Sequence, residues 1–152
     1  PPHNSSSAAS DVYKRQDYAH TPESISQVIK YVNPYFSKVV VLFGAGGNRD
    51  KEKRKLMGTA SQLADSVIVT NDNPRNEDPI QISNDILKGC DLSKTNVILD
   101  RKEAITSAIN ELKENSVLLV LGKGHEMYQE INNSHIPFND NDFINETIGG
   151  LI

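Results

Sequence analysis

The chain has 152 residues, with 16 Lys and Arg against 20 Asp and Glu, and its formal net charge is −4 at pH 7. This length suits one domain, and the acidic balance argues against a protein that coats DNA or an anionic membrane, because both need a basic face. The single cysteine, Cys90, excludes an intramolecular disulfide and a cysteine-built zinc site, so a reducing, cytoplasmic compartment is expected. No apolar run reaches the roughly 18–20 residues of a membrane span.

The first sixteen residues differ in composition from the rest. Residues 1–16 are rich in Ser, Ala and Pro and show no apolar period, so we expect a disordered or non-native leader. The folded domain is predicted to cover residues 17–152.

From residue 17 onward, helical and extended patterns alternate. Apolar runs predict strands over residues 38–43, 66–70, 96–99 and 116–121. Helices are predicted after the capping residues Thr21, Asp78, Asp100 and Asp140. Another helix is predicted over residues 51–64, with an apolar face at Leu56, Ala60 and Leu63. Near the end, two short extended segments flank Asn132-Asn133 and predict a β-hairpin.

This alternation indicates an α/β fold: a Rossmann-like, mostly parallel sheet with helices on both faces and a C-terminal β-hairpin. In open parallel sheets, ligands bind beyond the carboxyl ends of the strands. Three polar loops, residues 44–50, 71–76 and 122–126, follow predicted strands. They are therefore expected to meet at one edge of the sheet.

Neither glycine-rich loop completes a nucleotide-binding motif. The first has Arg49 where the dinucleotide fingerprint needs its third glycine, and in the second Lys123 is not followed by Ser or Thr. Glycines at tight strand-to-helix turns are an alternative, purely structural interpretation. A self-sufficient nucleotide site is therefore not favoured.

The charged residues of the loops favour a zwitterionic ligand. Arg49 and Arg75 each carry a planar guanidinium that suits a carboxylate, and Glu126 can pair with an ammonium group. The alternatives are a plain turn around Arg75, an exposed Glu126 and, over residues 51–55, a solvated helix face of alternating charge. Two arginines, an amide, a glycine backbone and a carboxylate together describe a pocket for an amino acid.

Four segments in this order resemble the C-terminal domain of the Mur ligases, from residue 17 to residue 148. The segments are Asp17-Tyr18-Ala19-His20-Thr21-Pro22, residues 43–50 (FGAGGNRD), residues 70–75 (TNDNPR) and residues 122–129 (GKGHEMYQ). The likeness is greatest to the members that add the third residue of the peptidoglycan stem peptide.

The resemblance implies an ATP-dependent amide ligation. The carboxylate of UDP-MurNAc-dipeptide is phosphorylated, the amine of the incoming amino acid attacks the acyl phosphate, and phosphate leaves. ATP and Mg²⁺ are held mainly by a central domain that, like the N-terminal UDP-binding domain, is absent from this chain. The fragment alone is therefore expected to be inactive.

The resemblance also assigns residues. Contacts to meso-diaminopimelate would fall on Arg49, Asp72, Asn73, Pro74, Arg75, Gly122 and Glu126, whereas Asp17 and His20 would face ATP. Lysine-adding relatives lack the arginine that follows Asp-Asn-Pro. An unpaired Arg75 in a dry pocket would cost about 1–3 kcal/mol, a ten- to hundredfold preference for a ligand with a second carboxylate.

One departure concerns residues 12–16, which are polar where the family has an apolar strand, so that strand is expected to be lost or poorly formed. The alternatives are a lysine-adding or folylpolyglutamate-type ligase domain and a non-catalytic amino-acid-binding module.

Overall fold

The computed structural model describes residues 12–17, of which only the backbone is considered, and residues 19–124 and 126–149. Its elements are β1 (Val12–Asp17), α1 (Pro22–Val32), β2 (Lys38–Phe43), α2 (Glu52–Ser61), β3 (Ser66–Val69), α3 (Pro79–Leu87), β4 (Thr95–Val97), α4 (Arg101–Glu111), β5 (Ser116–Leu121), β6 (Tyr128–Ile131), β7 (Ser134–Pro137) and α5 (Asp140–Gly149). None of the helices described here has the length and apolar character needed to cross a bilayer.

Five strands form one parallel sheet in the order β1-β5-β2-β3-β4. Every residue of β5 is buried, and β2 is buried except at Lys38. Continuous apolar runs of this kind are typical of strands that are covered on both faces. The predicted α/β class and parallel sheet are confirmed.

The two faces of the sheet carry separate apolar layers. On one face, Val117, Leu119 and Leu121 of β5 pack with α1, α2 and α3. On the other face, Leu118 and Val120 pack with α4 and α5. Because neighbouring residues of a strand point to opposite faces, one short strand contributes to both layers, and helices cover both sides as predicted.

Three of the four predicted helix caps are present. Thr21 forms a reciprocal capping box with Ser24, and Asp78 and Asp100 accept hydrogen bonds from backbone N–H groups of the first turn. The prediction for Asp140 is wrong. Asn139 accepts the hydrogen bond from the Asp142 N–H at 3.0 Å, whereas Asp140 lies fully buried inside the helix.

Helix α2 is shorter than predicted, and much of the apolar face that was expected to be buried is exposed. It ends at Ser61, and Leu56 and Leu63 are 56% and 47% exposed. The buried side instead contains Arg54, Met57 and the small residue Gly58. A β-carbon at Gly58 would lie 2.1 Å from the carbonyl oxygen of Ile86 in α3. Close contact with α3, rather than an apolar stripe, therefore decides which side is buried.

Strand β1 differs from the sequence expectation. Residues 12–17 pair in parallel with β5, whereas this strand was expected to be lost or poorly formed. Main-chain groups make the pairing, and an edge strand needs only one neighbour, so polar residues are compatible with it. A leader origin of residues 1–16 stays a prediction, and residues 1–11 lie outside the described residues.

The boundaries of the remaining strands agree more closely with those predicted from the sequence. Strand β4 covers Thr95–Val97 instead of residues 96–99. Strands β6 and β7 form the predicted antiparallel hairpin, and Asn132 and Asn133 have φ values of 50° and 63°. Two successive positive φ values are typical of a type I′ turn, which matches the twist of the hairpin.

Candidate functional site

A cavity of about 380 Å³ lies where the loops after β2, β3 and β5 meet, at the carboxyl ends of these strands. Its lining consists of His20, Thr21, Gly44, Ala45, Gly46, Arg49, Asp50, Lys53, Arg54, Met57, Asp72, Asn73, Arg75, Gly122 and Glu126. The three polar loops therefore converge as the parallel topology predicts.

Most of the residues that the sequence singled out lie in this cavity. Pro74 does not line it but packs behind the glycine loop, where its carbonyl oxygen would lie 1.9 Å from a β-carbon at Gly47. His20 lines the cavity, whereas the side chain of Asp17 lies outside the described part of the chain, as do Tyr18 and His125.

Two hydrogen bonds join the first loop to the second. The N–H of Gly47 donates to the Asn73 carbonyl oxygen at 2.8 Å, and Nη1 of Arg75 donates to the Gly47 carbonyl oxygen at 2.9 Å. Only glycine fits at position 47, because the Pro74 backbone fills the space of a side chain. The two loops therefore form one wall of the cavity.

Arg75 is held in place by the hairpin. Its backbone has a φ of 52°, and its N–H donates to the Glu130 carbonyl oxygen at 2.8 Å. Its Nε donates to Oε2 of Glu130 at 2.6 Å. The sequence argument for selectivity assumed an Arg75 without a partner, and this assumption is wrong. Glu130, 55 positions away in the chain, supplies the counter-charge.

Arg49, the second arginine of the cavity, is exposed, and its guanidinium makes no hydrogen bond to a described residue. It lies at the end of the glycine loop, after Asn48, whose φ is 56°. A solvated guanidinium on the rim can reorient towards an incoming anion at little cost in broken contacts. Arg49 and Arg75 thus differ: the side chain of Arg49 is exposed to solvent, and that of Arg75 is held by Glu130 and Gly47.

A buried lysine organises the opposite wall. Lys123 is fully buried, and its Nζ donates to Oε1 of Glu126 at 3.0 Å and to the Tyr128 carbonyl oxygen at 2.6 Å. It also donates to Oδ1 of Asn73 at 3.2 Å, and Nδ2 of Asn73 donates to Glu126 at 3.2 Å. Glu126 is therefore fixed with its side chain 25% exposed. The sequence analysis assigned no role to Lys123.

Asp72 places a second carboxylate in the cavity. Burial raises its pKa, although the charges of Arg101 and Lys123 oppose that increase. Gly122 has a φ of 105°, and a β-carbon there would lie 2.6 Å from Oδ2 of Asp72. Glycine at position 122 therefore allows the backbone to approach this carboxylate closely.

Four of the residues 51–55 are exposed, as a solvated helix face predicts, but Arg54 is an exception. It is 1% exposed and donates to Glu77, Asp85 and the Gly46 carbonyl oxygen at 2.9–3.1 Å. Its hydrogen bonds lower the pKa of Glu77, and they also lower the pKa of Asp85 against the effect of burial. Its Nε is buried without a partner among the described residues. Arg54 thus anchors the glycine loop to α3.

A buried ion pair supports the site from behind. Arg101 donates from Nε and Nη2 to the two oxygens of Asp140, both at 2.7 Å, and both side chains are fully buried. Nη1 also donates to the Asn71 carbonyl oxygen at 2.9 Å. This pair connects α4 and α5 to the second loop, and no local sequence pattern indicates it.

A parallel α/β sheet with a charged cavity beyond its carboxyl ends is the architecture of a small-molecule-binding domain. Residues 6–124 match the family model described as Mur ligase, glutamate ligase domain. The chain belongs to this family, as the four sequence segments indicated.

The relatives and a solved structure carry one name, UDP-N-acetylmuramoyl-L-alanyl-D-glutamate–2,6-diaminopimelate ligase. The Rickettsia montanensis protein is 46% identical over 136 residues, which are 87% of this chain and 28% of that protein. The Aquifex aeolicus protein is 46% identical over 138 residues, 88% of this chain and 28% of that protein. The solved structure is 39% identical in sequence to this chain and has a TM-score of 0.89. The match covers 93% of this chain and 30% of the chain in that structure. The chain thus spans less than a third of these proteins.

Proposed function

We propose that this chain is the amino-acid-binding domain of a cytoplasmic, ATP-dependent ligase. The ligase adds meso-2,6-diaminopimelate to UDP-MurNAc-L-Ala-D-Glu in peptidoglycan synthesis. The observation that carries the proposal is the charge set of one cavity, in which two guanidinium groups, Arg49 and Arg75, face two carboxylates, Asp72 and Glu126. Diaminopimelate carries two carboxylates and two ammonium groups, so each of its charges has an opposite partner.

The two arginines have different roles in this proposal. Arg75, oriented by the hairpin, receives one carboxylate of the ligand, and Arg49 closes on the other from the rim. Glu126 and Asp72 accept hydrogen bonds from the ammonium groups. Asn73 and Lys123 hold Glu126, Gly122 provides a close backbone surface, and Pro74 shapes the wall from behind.

ATP and Mg²⁺ are proposed to bind mainly to other domains of the ligase. Among the described residues, no three His, Cys, Asp or Glu side chains lie close enough to hold a metal ion, and neither glycine loop completes a phosphate-binding motif. This domain would present the amine of its amino acid to the acyl phosphate of the UDP-MurNAc-dipeptide. His20, in the lining of the cavity, and Asp17 are proposed to face the nucleotide.

The preference for diaminopimelate over lysine follows from attraction rather than from the penalty of an unpaired arginine. Lysine keeps both ammonium groups but has one carboxylate, so one of the two arginines gains no ligand contact. A charge-assisted hydrogen bond contributes about 1.5–3 kcal/mol, and the Glu130 partner of Arg75 reduces this gain. We therefore expect about a tenfold preference for diaminopimelate.

The binding test is an NMR-monitored titration of the ¹⁵N-labelled chain with meso-diaminopimelate and, separately, with L-lysine. We expect shifts confined to the loops at residues 44–50, 71–76 and 122–126, with tighter binding of diaminopimelate. Arg75→Ala should remove the preference, and Lys113→Ala, at an exposed lysine, is the matched control. Shifts elsewhere, or an unchanged preference in Arg75→Ala, would contradict the proposal.

A second experiment separates a ligase domain from a non-catalytic binding module. The chain replaces the corresponding segment of the Aquifex aeolicus relative, and ATP-dependent formation of the diaminopimelate-containing product is measured. Product formation supports the ligase. Micromolar binding of diaminopimelate by the chain alone, combined with an inactive chimaera, would favour the module.

A further inference from the structure

We propose that Glu130 is a positioning residue that orients Arg75 for the second carboxylate of the amino acid and so contributes to selectivity. This inference rests on the proposed function of the cavity. Glu130 was not among the residues that the sequence or the resemblance assigned to the site.

Glu130 contacts Arg75 from the side that faces away from the binding cavity. Arg75 lines the 380 Å³ cavity and also a second cavity of about 200 Å³, whereas Glu130 lines only the second. The guanidinium therefore lies between the two cavities. Glu130 is placed to act on a ligand through Arg75 and not by direct contact.

The contact leaves most of the guanidinium available to a ligand. Arginine has five N–H donors; Nε donates to Glu130 at 2.6 Å and Nη1 donates to Gly47 at 2.9 Å. Nη2 makes no hydrogen bond to a described residue. With Nε held by Glu130 and Nη1 by Gly47, the plane of the group is fixed while donors remain for a carboxylate.

Besides Arg75, two further residues hold Glu130. Its N–H donates to Oδ1 of Asn73 at 2.9 Å, and its Oε1 lies 3.1 Å from Nε2 of His135. The His135 ring stacks on Tyr128 at a centroid distance of 4.1 Å and an angle of 6°. Burial would raise the pKa of Glu130, but Arg75 and then His135 lower it below its usual value. The carboxylate is therefore ionised at neutral pH.

Two effects of Glu130 on ligand binding oppose each other. Its negative charge competes with a ligand carboxylate for Arg75, but Glu130 is 29% exposed, so solvent weakens this competition. Its fixed contact also removes rotamer freedom from a long side chain before binding, which saves about three- to tenfold in affinity. The ordering effect is the larger one in this partly solvated position.

The test measures binding of meso-diaminopimelate and L-lysine to the 152-residue chain and its Glu130→Ala and Glu130→Gln variants. We expect Glu130→Ala to bind diaminopimelate about three- to tenfold more weakly and L-lysine within twofold of the unmodified chain. Glu130→Gln keeps an acceptor for Nε and should recover part of the loss. Glu111→Gln, at an exposed glutamate, removes the same charge elsewhere.

Each outcome decides the proposal. Equal weakening for both ligands would show a general loss of structure, and equal or tighter binding of diaminopimelate in Glu130→Ala would show that Glu130 only competes; either result overturns it. If the unmodified chain binds no diaminopimelate, the proposed function fails. The orientation of Arg75 is then read from its Nε–H resonance, which should be protected from exchange in the unmodified chain and lose that protection in Glu130→Ala.

Discussion

The ammonium group of Lys123, fully buried, lies 3.0 Å from the Glu126 carboxylate and 2.6 Å from the Tyr128 carbonyl oxygen. This contact joins the loop after β5 to the start of the hairpin. It also fixes the carboxylate that we assign to a ligand ammonium group. The site therefore depends on a cation that has no exposed surface.

Lys123→Met removes this cation while keeping an unbranched side chain. It leaves Glu126, Asn73 and the Tyr128 carbonyl without their shared donor, and breaking a buried pair in this way costs about 3 kcal/mol or more. We expect a loss of that size in the free energy of unfolding, measured in urea by circular dichroism, together with weaker binding of diaminopimelate. Lys113→Met, at an exposed lysine, is the control. A variant as stable as the control would contradict the role of Lys123.

Asp72→Asn is expected to stabilise the ligand-free chain and to weaken ligand binding. Burial raises the pKa of Asp72, so the folded state disfavours the ionised form. The gain in stability of the neutral variant is therefore present above the raised pKa and disappears as the pH falls towards the unfolded value of 3.8, where Asp72 is itself protonated.

Thermal unfolding of Asp72→Asn at neutral pH and near pH 4 measures this effect, with Asp142→Asn as an exposed control. The melting temperature should be higher than that of the unmodified chain at neutral pH only. A lower melting temperature at neutral pH would show that attraction to Arg101 and Lys123 outweighs burial.

Arg54→Met should destabilise the fold and loosen the glycine loop. The change leaves Glu77 and Asp85 without their shared partner, at a cost of about 3 kcal/mol. Arg54 lowers the pKa of both carboxylates. The stability that Arg54 contributes is therefore fully present above the pKa values that Glu77 and Asp85 have in the unfolded chain, near 4. It is lost as the pH falls through the lower pKa values of the folded state.

Urea unfolding at pH 7 and pH 3 tests this dependence. The difference in the free energy of unfolding between Arg54→Met and the unmodified chain should be large at pH 7 and smaller at pH 3. Lys55→Met changes an exposed neighbour on the same helix and should have little effect at either pH. A difference that is independent of pH would mean that packing, and not charge, explains the burial of Arg54.

Asp140→Ala is expected to lower the free energy of unfolding, measured in urea, by about 3–5 kcal/mol, because it leaves the fully buried Arg101 without its carboxylate. The double variant Arg101→Met, Asp140→Leu should recover part of that loss, since an apolar pair needs no compensation for desolvation. Asp142→Ala, in the same helical turn, is the exposed control. A double variant that is less stable than Asp140→Ala would contradict this account.

Much of the fold could be predicted because its signals are local. The apolar runs at residues 38–43 and 116–121 are two of the three inner strands of the sheet. Thr21, Asp78 and Asp100 each cap the helix that begins at the next residue. Parallel pairing then brings the loops to one edge, where the cavity lies. The family resemblance selected the same loops.

Apart from Lys123, whose carboxylate partner Glu126 is three positions away, the interactions that were missed join charged groups that are distant in the chain. Arg54 lies 23 positions from Glu77, Arg101 lies 39 from Asp140, and Arg75 lies 55 from Glu130. A local pattern assigns such side chains to solvent, because charged residues are rarely buried without a partner. On α2 this error reversed the buried face, since the pattern there counted Leu56 and overlooked Arg54.

The contact between α2 and α3 lies next to Arg54, which belongs to the lining of the cavity. Gly58 lies against the Ile86 carbonyl and Gly89 against the Lys55 carbonyl, so that a β-carbon at either glycine would lie 2.1 Å from oxygen. A side chain at position 58 or 89 would force the backbone to shift at this contact, across which Arg54 of α2 donates to Asp85 of α3. If the cavity binds an amino acid as we propose, the spacing of these two helices can influence its binding through Arg54, although positions 58 and 89 do not line the cavity.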